Sequence, residues 1–272
     1  MQKYLLIIIS VFHLLNIVPG FGQEMLELQA RRQVKSGTGF TETITDVKWP
    51  AKSTAIIVCD MWDQHWCATA TERVDEMAQR MNEVIKSARS KGVTIIHAPS
   101  STMEYYKGYP QRIKMTQNQA VPSSANIPDW CYLDEHAEDP LPIDDSDGGC
   151  DDPASDCVHC EVWSKQIEAI EIWENDCISD SGKEINNFLV ANKINHIIIM
   201  GVHINMCVLG RSFGIRSQVN LGRDVVLVRD LTDSMYNPEM HPQVSHSEGT
   251  NLVINHIEKF WCPSIKSGQL LD

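Results

Sequence analysis

Short apolar runs, each followed by an amphipathic run, recur along this chain, and that alternation restricts it to one class of fold. Residues 54–60 (TAIIVCD) are apolar on both faces and read as a buried strand with a functional group at its end. Residues 71–90 put Val74, Met77, Met81, Val84 and Ala88 on one helical face. Further strands are expected at 93–97, 169–172, 197–200 and 224–228, and further helices at 183–191, 208–217 and 250–260, the last capped by Thr250. Continuously apolar strands interleaved with helices imply a parallel sheet covered on both faces. The expected fold class is α/β, a three-layer α/β/α arrangement around a central, mostly parallel sheet. Active sites in such sheets lie at the carboxyl ends of the strands.

Two regions fall outside this rhythm. Residues 24–50 carry no strong periodicity and read as an N-terminal arm. Residues 99–160 hold seven of the twelve prolines and a centre, DPLPIDDSDGGCDDPASDC, with no core-forming pattern. A stretch of that length inside a domain is expected to be a functional loop, a lid or a disordered segment.

The chain opens MQKYLLIIISVFHLLNIVPGFG. One lysine, a short apolar core and then Pro19, Gly20 and Gly22 read as a signal peptide over 1–22, ahead of a single domain over 23–272. The protein is therefore expected to be secreted or periplasmic, with no stable membrane anchor, since the apolar stretch is short and ends in breakers. The net charge of −13 and the lack of a basic stripe argue against nucleic acid as a partner. A small-molecule substrate is the expected partner, with room for a homo-oligomer. No cofactor and no resident metal are expected.

Nine cysteines in an exported chain imply disulfides. Cys131, Cys150, Cys157 and Cys160 share one polar stretch, and the Cys157–Cys160 CxxC reads as structural, with Cys131 or Cys150 as further partners. An odd total leaves at least one thiol free if pairing is intramolecular, with Cys207 the natural candidate and Cys59 its competitor. The acidic run Asp144, Asp145, Asp147, Asp151 and Asp152 lacks the full EF-hand pattern and reads as a solvated loop.

Cys207 falls where the 197–200 strand hands over to a helix. The positive end of a helix favours thiolate over thiol and so makes a nucleophile. A cysteine hydrolase also needs a base, which Asp60 at the end of the first strand supplies, and donors for the oxyanion. Three segments then resemble the isochorismatase-like cysteine hydrolases, which include nicotinamidases and N-carbamoylsarcosine amidases: IIVCDMWDQHWC at 56–67, GVHINMCVLGRSFG at 201–214 and LGRDVVLVRDLTDS at 221–234. The resemblance implies an Asp, Lys, Cys triad, with Asp60 and Cys207 as two members. Lys165, 42 positions before Cys207, is taken as the third, and Lys183 is the fallback. It also implies a cis bond between Val202 and His203 and an oxyanion hole formed by the His203 and Cys207 amides. Trp62, His65, Trp163 and Asn205 are expected to line the substrate pocket, close to Trp66. The Asp-x-His metal pair of nicotinamidases is missing: His97 stands with Ala98 and Ser100 near those places. The expected reaction is cleavage of a small amide, carbamoyl or ester substrate through an acyl-enzyme. The alternatives are a vinyl-ether hydrolase of the same fold and a catalytically silent binding protein.

Overall fold

In the computed structural model, residues 24–117, 126–152 and 160–271 are described. Residues 1–22, expected to be a signal peptide, and Cys157 lie outside them. The centre is an eight-stranded sheet in the order β2-β1-β8-β7-β6-β3-β4-β5. The strands are β1 (Met25–Ser36), β2 (Gly39–Pro50), β3 (Thr54–Cys59), β4 (Thr94–Ala98), β5 (Cys177–Ile178), β6 (His196–Val202), β7 (Asp224–Asp233) and β8 (Ser264–Ile265). From β8 to β5 every pairing is parallel, while β1 pairs antiparallel with both β2 and β8.

The two faces of the sheet are covered by different helices. Ile56 and Val58 of β3 pack on one side with Val74, Ala78, Met81 and Ile85 of helix α1 (Ala68–Ser90). Ala55, Ile57 and Cys59 face the other side, where α4 (Gly182–Ala191), α5 (Cys207–Gly210), α6 (Ile215–Asn220) and α7 (His246–Phe260) lie. Successive strand residues point to opposite faces, so a strand buried on both sides must be apolar throughout. This is the three-layer architecture that the alternation implies.

Several local expectations are corrected. Residues 24–50 form a long β-hairpin, because Leu26, Leu28 and Ala30 alternate inward beside β8. The hairpin's distal half is exposed on both faces, which dilutes the period-2 signal in the sequence. No strand forms at 169–172: those residues turn, and the edge strand is β5 instead. The helix expected over 208–217 is split into α5 and α6 around Arg211–Gly214. Helix α7 starts earlier than expected, with Ser245 and Glu248 forming a capping box. Thr250 instead bonds Ser234 and Asp233.

Apart from two short helices, α2 (Met103–Tyr106) and α3 (Pro110–Thr116), the described part of 99–160 is irregular, yet it is tied down firmly. Its Glu138 carboxylate is buried and accepts bonds from Arg216 (2.6 Å), His256 (2.8 Å) and Trp261 (2.8 Å). Cys150 is disulfide-bonded to Cys67 at the start of α1. Part of the acidic run is engaged by distant residues rather than simply solvated. Asp145 accepts from Asn205, Asp147 from Asn237, and Asp151 takes a bidentate bond from Arg73. Cys160 is also disulfide-bonded, whereas Cys131 is a free thiol, against the expectation that it joins the cluster.

Candidate active site

Asp60 follows β3 directly and is fully buried with a positive φ of 48°. That left-handed backbone is uncommon for a non-glycine residue, and such conformations gather at functional sites. It turns the carboxylate across the carboxyl ends of the strands. Its Oδ1 accepts a bond from Ser100 N at 2.7 Å, just beyond β4. Its Oδ2 faces Arg211 Nε at 3.4 Å.

The neighbouring strand β6 delivers Cys207 to the same place. Gly201 has a φ of +115°, and a Cβ there would lie 2.0 Å from Cys59 O, so only glycine lets β6 bend this close to β3. The Val202–His203 bond is cis. The His203 carbonyl then accepts from Met206 N and Val208 N, closing a turn that ends at Cys207. The Cys207 thiol meets both the Asp60 carboxyl and the Arg211 guanidinium. Cys207 and Cys59 are both free thiols. Cys59 is sealed in the core, its Sγ 3.5 Å from Val202 O.

The electrostatics differ from the sequence expectation. Helix α5 has only one turn, and burial followed by the Asp60 carboxylate pushes the Cys207 thiol well above its ordinary pKa, with Arg211 opposing them. Both effects favour the neutral thiol over the thiolate at rest. Burial also raises Asp60, while Arg211 and the Ser100 amide pull it back toward the charged form. Arg211 is itself held protonated by Asp60.

The cation at this site is Arg211, and Lys165 lies elsewhere. The Lys165 ammonium pairs with Glu168 and sits 5.7 Å over the Tyr105 ring. The reason is strand alternation. Trp62 and Gln166 form an antiparallel bridge, flanked by Asp63 N to Lys165 O and Ile167 N to Met61 O. Gln166 points inward to His97 and Ile170, so its neighbour Lys165 points outward. Lys183 is exposed. Arg211 was accessible from the sequence as the one charged residue between Cys207 and Gly214. Because α5 ends at Gly210, Arg211 leaves the helix and turns back toward Asp60. It also lines a cavity of about 270 Å³ with Ile127, Asp129, Asp180 and Lys183.

An aromatic wall stands beside the turn. Trp163 stacks on Trp62 at 4.3 Å and on His65 at 5.7 Å, and His65 meets His203 edge-on at 5.1 Å. Trp62 donates to Ser100 O, and His65 Nδ1 accepts from Cys67 N. Asn205, expected to contact substrate, is instead occupied by the protein. Its amide donates to Asp145 and Met235 O and accepts from Met235 N. The insertion closes over Arg211 through Trp130, which pairs with it by backbone and places its ring 5.5 Å from the guanidinium. His97 is held by Gln166 and Asp176. Among the described residues no group of three His, Cys, Asp or Glu side chains is arranged to hold a metal.

No family model matches this sequence, and neither does any curated protein. Solved structures do match in fold. A cysteine hydrolase from Pseudomonas syringae pv. phaseolicola 1448A aligns over 82% of this chain and 94% of its own, with a TM-score of 0.51 and 18% identity. The fold is isochorismatase-like. An isochorismatase from Pseudomonas putida KT2440 aligns over 81% of this chain and 91% of its own, at a TM-score of 0.48 and 12% identity. On this fold Asp60 and Cys207 lie together at the carboxyl ends of β3 and β6, and the cation beside them is Arg211, not Lys165.

Proposed function

We propose that this chain is an exported cysteine hydrolase of small amides, carbamoyl compounds or esters, with Asp60 as base, Cys207 as nucleophile and Arg211 as the fixed cation. The observation that carries this reading is the buried contact of carboxylate, thiol and guanidinium at the carboxyl ends of β3 and β6. The Cys67–Cys150 disulfide supports an oxidising compartment.

In the proposed reaction, Cys207 Sγ attacks the substrate carbonyl carbon while its proton passes to Asp60. The oxyanion is met by the amides of His203 and Cys207. The bond to the leaving amine or alcohol breaks, and the leaving group takes the proton from Asp60, which leaves a thioester. Water then gives a proton to Asp60 and attacks the thioester. The C–S bond breaks, the acid departs and the proton returns to the sulfur. Arg211 keeps Asp60 ionised at the start and stabilises the developing thiolate. A guanidinium suits that task because it stays charged even when buried.

The test is a hydrolysis panel of small amides, carbamoyl compounds and esters run on wild type, Cys207→Ala, Arg211→Met and Lys165→Ala. The reading requires that Cys207→Ala be inactive, Arg211→Met strongly impaired and Lys165→Ala close to wild type. Equal turnover by wild type and Cys207→Ala would remove the covalent mechanism.

A further inference from the structure

Two nitrogen atoms in the aromatic wall are buried with no hydrogen-bond partner among the described residues: His203 Nε2 and Trp163 Nε1. Buried polar atoms in folded proteins are paired in the great majority of cases, and an exception calls for a reason. These two are not scattered. Both rings contact the same third ring, His65, one stacked at 5.7 Å and the other edge-on at 5.1 Å. His203 is only 3% exposed and begins the turn that ends at Cys207, so its imidazole and the nucleophile are carried by one short segment. The charged groups around it are Asp233, Arg73 and His246. Arg73 and His246 both bond to Asp233, so that carboxylate is already engaged. Burial lowers the His203 pKa to about 4, which leaves a neutral ring at physiological pH. A neutral imidazole with its proton on Nε2 donates one hydrogen bond, and an indole nitrogen can only donate.

We propose that His203 and Trp163 form a specificity subsite that binds a planar substrate through hydrogen-bond acceptor atoms on the part of the molecule that is not cleaved. The assignment rests on the hydrolase reading for where the scissile bond lies. Two flat rings supply the surface, and the Trp163 indole N–H together with the Nε2–H tautomer of His203, neither of them partnered among the described residues, supplies the selection. A site built around unpaired polar groups rejects an isostere lacking the matching atoms far more strongly than an apolar pocket does.

The probe pair is pyrimidine-5-carboxamide and benzamide, which share a shape and differ by two ring acceptors. Their affinities are measured by calorimetry on Cys207→Ala, where turnover does not interfere. The pyrimidine amide is expected to bind at least about tenfold tighter. His203→Phe and Trp163→Phe, each added to Cys207→Ala, should both shrink that ratio, and the two together should bring it to about one. His203→Leu, which also lacks a donor, serves if the phenylalanine variant does not fold, and an unchanged thermal melt certifies each protein. Equal binding of the two amides, no binding of either, or a ratio that survives both substitutions would overturn the subsite. Because binding is read without turnover, its failure is separate from that of the covalent mechanism, which the Cys207→Ala hydrolysis comparison decides.

Discussion

Replacing Glu138 by glutamine tests how the insertion is held on the sheet. The Glu138 side chain is fully buried and accepts three bonds, from Arg216 on α6, His256 on α7 and Trp261 just beyond it. Burial opposes ionisation, but these donors win and hold the carboxyl at about 2, against an ordinary value of 4.5. A difference of that size corresponds to roughly 3 kcal/mol at about 1.4 kcal/mol per pH unit. Because the folded pKa is the depressed one, this stability is fully present above pH 4.5 and drains away as the pH falls toward 2. Glu138→Gln removes the charge and leaves the buried Arg216 guanidinium without its counterion, a loss of about 3–5 kcal/mol. For a domain of this size that is a fall in Tm on the order of 6–15 °C. The assay is thermal melting followed by circular dichroism, at neutral pH and then from pH 6 down to pH 3. The wild type should lose stability over the acidic half of that range, and the variant should lose markedly less. A variant that melts within about 2 °C of wild type at neutral pH would show that the insertion is not anchored through this carboxylate.

Three further outcomes are expected. Arg211→Met should move the acid limb of the kcat/KM profile to higher pH, because Asp60 loses the charge that pulls its pKa down; Arg211→Lys should restore most of the difference, and an unshifted limb would exclude Arg211 from the site. Lys165→Ala should change turnover by less than about threefold, since its ammonium pairs with Glu168 at the surface and not with Asp60; a collapse in kcat would reinstate Lys165. Cys67→Ser with Cys150→Ser should cost about 2–5 kcal/mol of stability and expose the insertion to limited proteolysis, whereas a cleavage pattern like that of wild type would mean the disulfide does not hold it.

The layers were legible in the sequence because strands buried on both faces leave a continuous apolar run, and no other fold class uses so many with helices between them. The places of Asp60 and Cys207 follow from the same logic, since each lies just past the carboxyl end of a parallel strand. The first hairpin was less legible because its distal half is largely exposed: Val34, Phe40 and Ile44 all face solvent in part, so no buried face enforces alternation there. The insertion hid its anchors for another reason. Glu138, Asp145 and Asp151 are indistinguishable from solvated acids until Arg216, Asn205 and Arg73 are brought to them from distant segments.

The third member of the candidate site was misread through a rule with a period of two. A spacing argument counts positions along the chain, but it cannot say which of two adjacent residues faces inward when no regular strand surrounds them. At 165 and 166 a single backbone bridge to Trp62 decides the matter and gives the inward place to Gln166. The requirement for a cation did not vanish with that inversion. A buried carboxylate beside a thiol would protonate without a counter-charge and so lose its ability to act as a base. Something near Asp60 had to be positive, and the search was bounded by the segments that end at the same rim of the sheet. The loop that carries Cys207 holds a single charged residue, Arg211, one helical turn beyond Cys207. Asking which cation can reach a buried carboxylate would have found the residue that counting positions to a lysine did not.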